Sequence, residues 1–393
     1  MRVGLFTEAY DPIINGVTTS VKILATELIA CGHTPVIVAP GVSGFTDSAK
    51  PGMEVLRLPS FRSIFNKEYP FAWPPVGPML PELAKLELDL VHTQQPFGMG
   101  FHGRRVAQRQ NIPLVSTFHT LYHEYTHYFP VLPRPTLRQI LSNHLRRYYT
   151  SCDAVIVPSQ AAGDRLLAIG VPSERLTVVP TGIPAPPAVL PAAVAEARRR
   201  LRLDNGLPVV LYVGRLAREK NLELLIDAFE PLAGRAILVI VGSGPHRTAC
   251  EQRVRSLGLE SWVRFPGFLP RGELSPIYAT ASVFAFPSGT DTQGVVLSEA
   301  QSHGVPCVIV NMGGGPEFVR DGIDALVVPD RVEPFRAAIE ALVFAPGRLR
   351  AFSIAARESP LRPTPEGMAR QIIEIYQETR RQRRTQDAAE GSL

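Results

Sequence analysis

The feature that most constrains the fold is a regular alternation of short apolar runs with helical patterns along the chain of 393 residues. The runs are rich in β-branched residues and are bounded by polar turns, which is typical of strands that helices bury on both faces. Alternating strands and helices predict parallel sheets with right-handed crossovers. The predicted strands of the first half are residues 2–7, 34–39, 88–92, 114–117, 154–158 and 176–179.

This regular pattern breaks once, near residue 185. Residues 183–190 (IPAPPAVL) are rich in proline and alanine and lack strand alternation, so they are typical of a linker. We therefore predict an α/β protein with two doubly wound domains, residues 1–183 and 184–364. Residues 365–393 form a last helix, which fits against either domain, and a basic tail. The predicted strands of the second domain are residues 208–213, 236–241, 262–265, 283–286, 306–310 and 325–328.

Length and composition fit this two-domain interpretation, since a domain usually contains roughly 100–200 residues. Hydrophobic residues make up 45% of the chain and charged residues 20%, a balance that excludes general disorder. No apolar run approaches the roughly 18 residues of a membrane-spanning helix, and the first residues do not resemble a secretory signal. Four scattered cysteines show neither metal-ligand spacing nor a disulfide framework, which favours a cytoplasmic location.

Basic residues exceed acidic ones, 41 against 36, which leaves a formal net charge of +5. An excess of this size permits an anionic partner without identifying it. It is concentrated in residues 101–150, where Glu124 is the single acid, and in the tail. These side chains either face nucleotide phosphates, anionic lipid or nucleic acid, or lie on solvated helix faces. The arginines are Arg104, Arg105, Arg109, Arg134, Arg138, Arg146 and Arg147, and in the tail Arg380, Arg381, Arg383 and Arg384.

Candidate binding residues follow the predicted strands, because ligands of doubly wound sheets bind beyond the carboxyl ends of the strands. If the strand ends of the two domains oppose each other, the functional site lies in the cleft between them. After the first strand, Gly16 precedes a helix, so a ligand can approach the backbone and meet the unpaired N–H groups of the helix start. A simple turn explains the same residue.

The first strand of the second domain leads into Gly214 and then into two cations, Arg215 and Lys220. These cations suit a diphosphate, arginine as a planar fork and lysine as a point charge. An ordinary charged loop is the alternative. The next strand ends in another glycine turn, Gly242 to Pro245, which also suits the close passage of a ligand.

Asp291 and Glu299 form the most specific segment of the chain. Their carboxylates are separated by a turn and the first turns of a predicted helix, and both suit the hydroxyls of a polar ligand. We expect Asp291 at the helix start, where it accepts backbone N–H bonds. After the next strand, Gly313, Gly314 and Gly315 offer bare backbone to the oxygens of a ligand.

Taken in this order and at these separations, the motifs resemble family 4 glycosyltransferases of the GT-B architecture over nearly the whole chain. The resemblance implies two Rossmann-like domains that face each other across a cleft, with a nucleotide-sugar donor bound to the second. The segments that carry it are residues 15–17, 117–120, 213–215 with Lys220, 242–245, and 291–299 with 313–315.

The resemblance also assigns roles to the candidate residues. Arg215 and Lys220 would hold the donor diphosphate, and Glu299 would bind the ribose hydroxyls. Asp291 would hold the transferred sugar, and His119 would orient that sugar without being an evident base. The other implied donor contacts are Gly16 at the phosphates, Gly267 and Phe268 at the base, Gly313, Gly314 and Gly315 at the sugar, and Gly242 at a part of the donor that is not specified.

One position departs from the family pattern, which usually has glutamate at both ends of this acidic pair. Asp291 is one methylene shorter, so the reach of its carboxylate differs. The surrounding residues 290–294, together with residues 92–94 and 119–128, look like the version in diacylglycerol glucosyltransferases and related lipid-modifying members.

The chemistry of sugar transfer agrees with these assignments. Cleavage of a glycosyl–phosphate bond places negative charge on the leaving diphosphate, which Arg215, Lys220 and the helix start at Gly16 are suited to stabilise. The sequence contains no Asp-x-Asp element, so we expect no metal requirement and no cofactor. Retention of anomeric configuration, through a front-face route, is implied by the family alone.

The acceptor is predicted from residues 61–73, which interleave aromatic and basic side chains. With the arginines of residues 101–150, such a stretch suits a peripheral membrane face with anionic lipid. The alternative for residues 61–73 is an aromatic loop that packs on its own domain. His123 and His127 are four residues apart, as in some metal sites, but no third ligand accompanies them. The candidate acceptor or membrane residues are Phe65, Trp73, Tyr122 and His127.

We therefore predict a hexosyltransferase that moves glucose or galactose from a UDP-sugar to diacylglycerol or a glycosylated relative at an anionic membrane surface. One alternative is GDP-mannose-dependent transfer to phosphatidylinositol or to a soluble sugar, and another is a GT-B protein that binds glycans or polyanions without catalysis. No motif supports nucleic acid as a partner. The protein would be cytoplasmic, with or without peripheral attachment to the inner face of the cell membrane.

Overall fold

The chain folds into two compact units, one formed by Met1–Gly182 with Thr364–Leu393 and the other by Ile183–Pro363. The structure is a computed structural model, and the residues that it describes are 1–13, 15–48, 50–62, 70–72, 81–122 and 133–390. Five residues named in the sequence analysis, Phe65, Trp73, His123, Glu124 and His127, lie outside them.

A parallel sheet of seven strands forms the centre of the first unit, in the order β3-β2-β1-β6-β7-β8-β9, and β4 and β5 pair separately as an antiparallel hairpin. The strands are β1 (Arg2–Phe6), β2 (Thr34–Pro40), β3 (Glu54–Leu58), β4 (Ser60–Arg62), β5 (Pro70–Ala72), β6 (Leu90–Thr93), β7 (Leu114–Thr117), β8 (Ala154–Val157) and β9 (Leu176–Val178). The helices between them are α1 (Gly16–Ala30), α2 (Pro81–Ala84), α3 (Gly98–Gln110), α4 (Arg134–Thr150) and α5 (Gln160–Ala168).

The second unit is built on a parallel sheet of six strands in the order β12-β11-β10-β13-β14-β15. Its strands are β10 (Val209–Val213), β11 (Ile237–Val241), β12 (Val263–Gly267), β13 (Val283–Phe286), β14 (Cys307–Val310) and β15 (Ala325–Val328). Its helices are α6 (Pro191–Arg200), α7 (Leu222–Phe229), α8 (Arg247–Ser256), α9 (Arg271–Tyr278), α10 (Val295–Ser302), α11 (Val332–Val343) and α12 (Pro346–Arg357). The prediction of an α/β protein with two doubly wound parallel sheets is confirmed.

Burial on both faces explains why the strands are nearly continuous apolar runs. In β1, the side chain of Leu5 packs into the core on one face of the sheet and that of Phe6 into the core on the other. Every residue of β10 and β11 is likewise buried. Full burial of one such side chain contributes roughly 1.5–3 kcal/mol, so polar substitutions in these strands are costly.

The last helix, α13 (Pro365–Glu390), belongs to the first unit, although the second unit precedes it in the chain. Met368, Ile372 and Tyr376 of α13 are buried in the same core as Leu5. Arg380 of this helix forms an ion pair with Asp89 at 2.6 Å. The helix therefore covers one face of the first sheet.

Strand order reverses between β1 and β6 in the first sheet and between β10 and β13 in the second. Binding sites of open parallel sheets form at such points, beyond the carboxyl ends of the strands. The loops after these four strands are thus the places to look for a site. Among the described helices, none has both the length and the apolar character needed to cross a bilayer.

Candidate active site

The loop after β1 leads into the N-terminus of α1 at Gly16. Asn15 caps the helix, since its side-chain oxygen accepts from the backbone N–H of Thr18 at 2.8 Å. A Cβ atom added at Gly16 would meet nothing within 4 Å, so packing against the protein does not require glycine at this position. The loop itself is held by Arg57, which donates to the carbonyl of Asp11 at 2.6 Å.

His119 follows β7 and contacts a residue that follows the neighbouring strand β6. Its Nε2 lies 2.7 Å from Oε1 of Gln94. Burial disfavours the charged imidazolium and lowers the pKa of His119 to about 4. His119 is therefore neutral at physiological pH.

His92 lies within β6 and has partners on both ring nitrogens. Nδ1 is 2.6 Å from the hydroxyl of Tyr376 in α13, and Nε2 is 2.7 Å from Oγ1 of Thr117. Burial, with a smaller contribution from His119, lowers the pKa of His92 to about 3. This neutral histidine ties α13 to two strands of the first sheet.

Glu8, two residues after β1, is a titratable group that the sequence reasoning passed over. Its Oε1 accepts from the backbone N–H of Met99 at 2.6 Å, at the start of α3, while its Oε2 is buried without a hydrogen-bond partner among the described residues. Burial raises the pKa of this carboxyl to about 7, although the bond from Met99 lowers it. Only its place at the carboxyl end of a predicted strand could have indicated it.

In the second unit, the loops after β10 and β13 bring two of the predicted residues together. Lys220 Nζ lies 2.7 Å from Oδ1 of Asp291, and both side chains are mostly buried, with exposures of 15% and 23%. Oδ2 of Asp291 is buried without a hydrogen-bond partner among the described residues. Arg215 lies in the same loop as Lys220 and is exposed.

The expected position of Asp291 at the start of a helix is wrong. Gly294, with a φ of 76°, precedes the helix, which begins at Val295, so Asp291 lies in the loop before it. Its carboxylate accepts from Lys220, while its backbone carbonyl accepts from the N–H of Gly314 at 2.9 Å. The acid is thus held by a lysine and by the glycine turn.

Close backbone contacts within the second unit also explain why some residues after its strands are glycine. A Cβ added at Gly242 would lie 1.9 Å from the carbonyl oxygen of Gly214, so the loops after β10 and β11 touch backbone to backbone. Gly242 also donates to the carbonyl of Gly267 at 2.9 Å. A Cβ added at Gly313 would lie 2.9 Å from the carbonyl oxygen of Asp291. Phe268, next to Gly267, is 51% exposed.

Glu299 lies in α10 and is fixed by two side chains of α9. Its Oε2 accepts from the hydroxyl of Tyr278 at 3.1 Å, and its Oε1 accepts from Arg271 at 3.2 Å. Tyr278 in turn stacks on the ring of His303, with 5.0 Å between the ring centroids. Burial raises the pKa of the Glu299 carboxyl, and the positive charge of Arg271 and the bond from Tyr278 oppose this.

Among the residues predicted to contact the acceptor, Tyr122 is the one that the structure describes. It is half-buried, and its ring packs edge-on against Phe97, with 4.9 Å between the centroids. Packing within the first unit therefore explains why the Tyr122 ring is partly buried.

Glu8 should make the stability of the first unit fall as the pH rises. Because burial raises its pKa from 4.5 to about 7, the folded protein keeps a proton that the unfolded chain releases between these values. The stabilisation is complete below pH 4.5 and is lost as the pH rises through 7. We expect Glu8→Gln, which still accepts from Met99, to raise the free energy of unfolding by about 3 kcal/mol at pH 8 and by much less at pH 5.

Urea unfolding of the two proteins at both pH values measures this difference. Glu87→Gln, at an exposed glutamate, serves as the control and should have little effect at either pH. An equal effect of Glu8→Gln at pH 5 and pH 8 would contradict the assignment.

Two family models together match most of the chain. "Glycosyltransferase Family 4" matches residues 14–185, and "Glycosyl transferases group 1" matches residues 194–359. Similar curated proteins include the alpha-monoglucosyldiacylglycerol synthases of Streptococcus pneumoniae, 30% identical over 78% of this chain and 70% of that protein, and of Acholeplasma laidlawii, 31% identical over 82% and 83%. A GDP-mannose-dependent alpha-mannosyltransferase of Mycobacterium tuberculosis is 27% identical over 99% of both chains.

Solved structures share the fold at lower sequence identity. Anabaena HepE in complex with UDP-glucose superposes with a TM-score of 0.77 at 20% identity, covering 96% of this chain and all (100%) of the other. Sucrose-phosphate synthase of Thermosynechococcus elongatus gives a TM-score of 0.76 at 23% identity, covering 96% and 98%. With two parallel sheets, the motifs at their strand ends and these matches, the chain belongs to glycosyltransferase family 4 and has the GT-B fold.

Proposed function

We propose that this glycosyltransferase moves glucose or galactose from a UDP-sugar to a membrane lipid, diacylglycerol or a glycosylated diacylglycerol, with retention of configuration and without a metal. The observation that carries the donor assignment is the convergence of Lys220 and Asp291, from loops 71 residues apart, beyond the carboxyl ends of β10 and β13. The lipid acceptor is supported by similarity to the two alpha-monoglucosyldiacylglycerol synthases.

In this proposal, charged side chains of the second unit bind the nucleotide part of the donor. Arg215 and Lys220 hold the diphosphate, and Glu299 accepts hydrogen bonds from the ribose hydroxyls. The contacts from Tyr278 and Arg271 support this role, because they fix both oxygens of the Glu299 carboxylate before the donor binds. The proposed contacts of Gly267 and Phe268 are with the base, and those of Gly313, Gly314 and Gly315 are with the sugar.

Lys220 and Asp291 act together at the bond that breaks. The ion pair at 2.7 Å holds the ammonium in place, so it stabilises the developing charge of the diphosphate with little reorganisation. Asp291 keeps a second carboxylate oxygen for a sugar hydroxyl. The N–H groups at the start of α1, which Gly16 leaves accessible, are proposed to meet the same phosphates.

His119 is proposed to orient the sugar as a neutral hydrogen-bonding group. A pKa of about 4 leaves its imidazole without the proton that a general acid would need at neutral pH. The departing phosphate oxygen then accepts the proton of the acceptor hydroxyl on the face from which it leaves, as the new glycosidic bond forms. This front-face route retains the configuration.

The membrane part of the proposal involves the basic helices of the first unit. Arg105 in α3 and Arg138, Arg146 and Arg147 in α4 are exposed. Basic side chains near an anionic lipid surface contribute about 1 kcal/mol each, so several together support peripheral attachment. Such attachment would bring the protein to the inner face of the cell membrane, with Tyr122 close to the lipid acceptor.

Transfer from GDP-mannose is the second candidate function. It is favoured by the GDP-mannose-dependent mannosyltransferase of M. tuberculosis, whose similarity extends over 99% of both chains. The acceptor in that case would be phosphatidylinositol or a soluble sugar, and the same residues would hold the diphosphate.

A panel of nucleotide sugars with lipid vesicles tests the proposed donor and acceptor. We expect UDP-glucose or UDP-galactose to yield a glycosylated product, identified by mass, with phosphatidylcholine vesicles that contain diacylglycerol. Adding phosphatidylglycerol should raise the rate and salt should lower it, since anionic lipid attracts the arginines. A product from GDP-mannose alone would favour the second function, and no turnover of any donor would favour a non-catalytic binding protein.

Removal of either proposed diphosphate ligand should slow turnover strongly. Because each supplies fixed positive charge to the leaving group, we expect Arg215→Ala and Lys220→Ala to lower kcat by about 100- to 1,000-fold. Arg218→Ala is the matched control, since Arg218 is an exposed arginine in the same loop, and it should keep nearly the full rate. Rates close to that of the unsubstituted protein in both variants, with circular dichroism unchanged, would refute the assignment.

Chelation of divalent metals should leave the activity intact. The physical reason is that Arg215 and Lys220 supply the positive charge that a divalent cation provides in other transferases. The measurement is the initial rate in EDTA compared with the rate in added Mg²⁺ or Mn²⁺. Loss of activity in EDTA and its return with either metal would contradict the proposal.

A further inference from the structure

Gln94 lies at the point of the first sheet where strand order reverses. It follows β6 directly, and its backbone N–H donates to the carbonyl of Phe6 at the end of β1, at 2.9 Å. Its side chain is only 2% exposed. A polar side chain buried at a strand-end binding edge needs hydrogen-bond partners for both ends of its amide.

One end of this amide has a partner. Oε1 lies 2.7 Å from Nε2 of His119. An amide oxygen only accepts, so Nε2 of His119 carries the proton and Nδ1 is the acceptor nitrogen of the neutral ring. Gln94 therefore selects one of the two tautomers of His119.

The other end of the amide has none. Nε2 of Gln94 is buried and makes no hydrogen bond to any described residue. An unpaired buried N–H group is disfavoured, and native proteins rarely keep one without a use. Because this donor belongs to the side chain that holds His119, a substrate oxygen near His119 is the partner that its position suits.

We propose that Gln94 binds the transferred hexose through its Nε2–H group while its Oε1 holds His119 in the Nε2–H tautomer. The ligand class is a hydroxyl oxygen of the nucleotide sugar, so this inference rests on the proposed function. The two ends of one amide then align the sugar and the histidine together. His92, the neighbouring histidine whose pKa is lowered by burial and by His119, is neutral and keeps its own partners, Thr117 and Tyr376.

Two variants separate the two ends of the amide. Gln94→Met removes both, whereas Gln94→Glu keeps an accepting oxygen for His119 and loses the N–H donor. Gln95→Met is the matched control, since Gln95 is also buried but its Oε1 accepts from the backbone N–H of Glu8. Its loss should affect stability and leave His119 unchanged.

Nitrogen-15 NMR of histidine-labelled protein, with His119 assigned from a His119→Asn spectrum, reports the tautomer without any need for activity. We expect the Nε2–H form in the unsubstituted protein and in Gln95→Met, and a mixture in Gln94→Met. In Gln94→Glu the new carboxylate should retain the Nε2–H bond and shift the titration of His119 to higher pH. An Nδ1–H tautomer in the unsubstituted protein would overturn the proposal.

Steady-state kinetics with the donor that the unsubstituted protein uses then test sugar binding. We expect Gln94→Met and Gln94→Glu both to lower kcat/KM by roughly 10- to 100-fold, as the loss of a buried hydrogen bond predicts. A full rate in Gln94→Glu would refute the contact between Nε2 and the sugar. If no nucleotide sugar is turned over, the proposed function fails, and with it the sugar contact, while the NMR spectra still decide the tautomer.

Discussion

The structure depends on one constraint of parallel sheets that helices bury on both faces. All loops that lead from a strand into the following helix lie at the same edge of the sheet, beyond the carboxyl ends of the strands. Polar side chains that are partly buried at such an edge lose some of their hydration and need hydrogen-bond or ion-pair partners within the protein. Lys220 pairs with Asp291, and Glu299 accepts from Arg271 and Tyr278. The need for such partners explains why charged side chains of the second unit contact one another near the ends of its strands.

Desolvation has opposite effects on acids and bases at these edges. Burial keeps His119 neutral and raises the pKa of the carboxyls of Glu8 and Glu299. At the first sheet, His119 is therefore an uncharged hydrogen-bonding group. At the second, Lys220 and Asp291 form an ion pair at 2.7 Å. The strand-end edges of the two sheets thus carry different kinds of polar group.

Twelve of the fifteen described strands were predicted from the sequence, because β-branched apolar runs between polar turns are a local signal, whereas β3, β4 and β5 were not predicted. The spacing of Arg215, Lys220, Asp291 and Glu299 was also sufficient to indicate the family. The contact between Lys220 and Asp291 was not predictable, since it joins loops 71 residues apart. Gly242 was noticed in the sequence, but its packing role was not predictable. That role depends on the backbone of Gly214, which leaves no room for a Cβ atom at residue 242.

Glu8 was not predicted as a site residue, and Gln94 was noticed only as part of residues 92–94, since nothing local distinguishes a buried polar side chain from a solvated one. The position of Asp291 was wrong because Gly294 adopts a left-handed conformation that delays the helix start. Errors of this kind arise where tertiary contacts or a single backbone angle decide the outcome.

The position of α13 has a consequence for the order of folding during synthesis. The second unit is continuous in the chain and contains all of its own strands and helices, so it can fold once residue 363 has left the ribosome. The first unit begins earlier but lacks Met368, Ile372 and Tyr376 until the whole second unit has been made. The half of the protein that is made first therefore reaches its final core last.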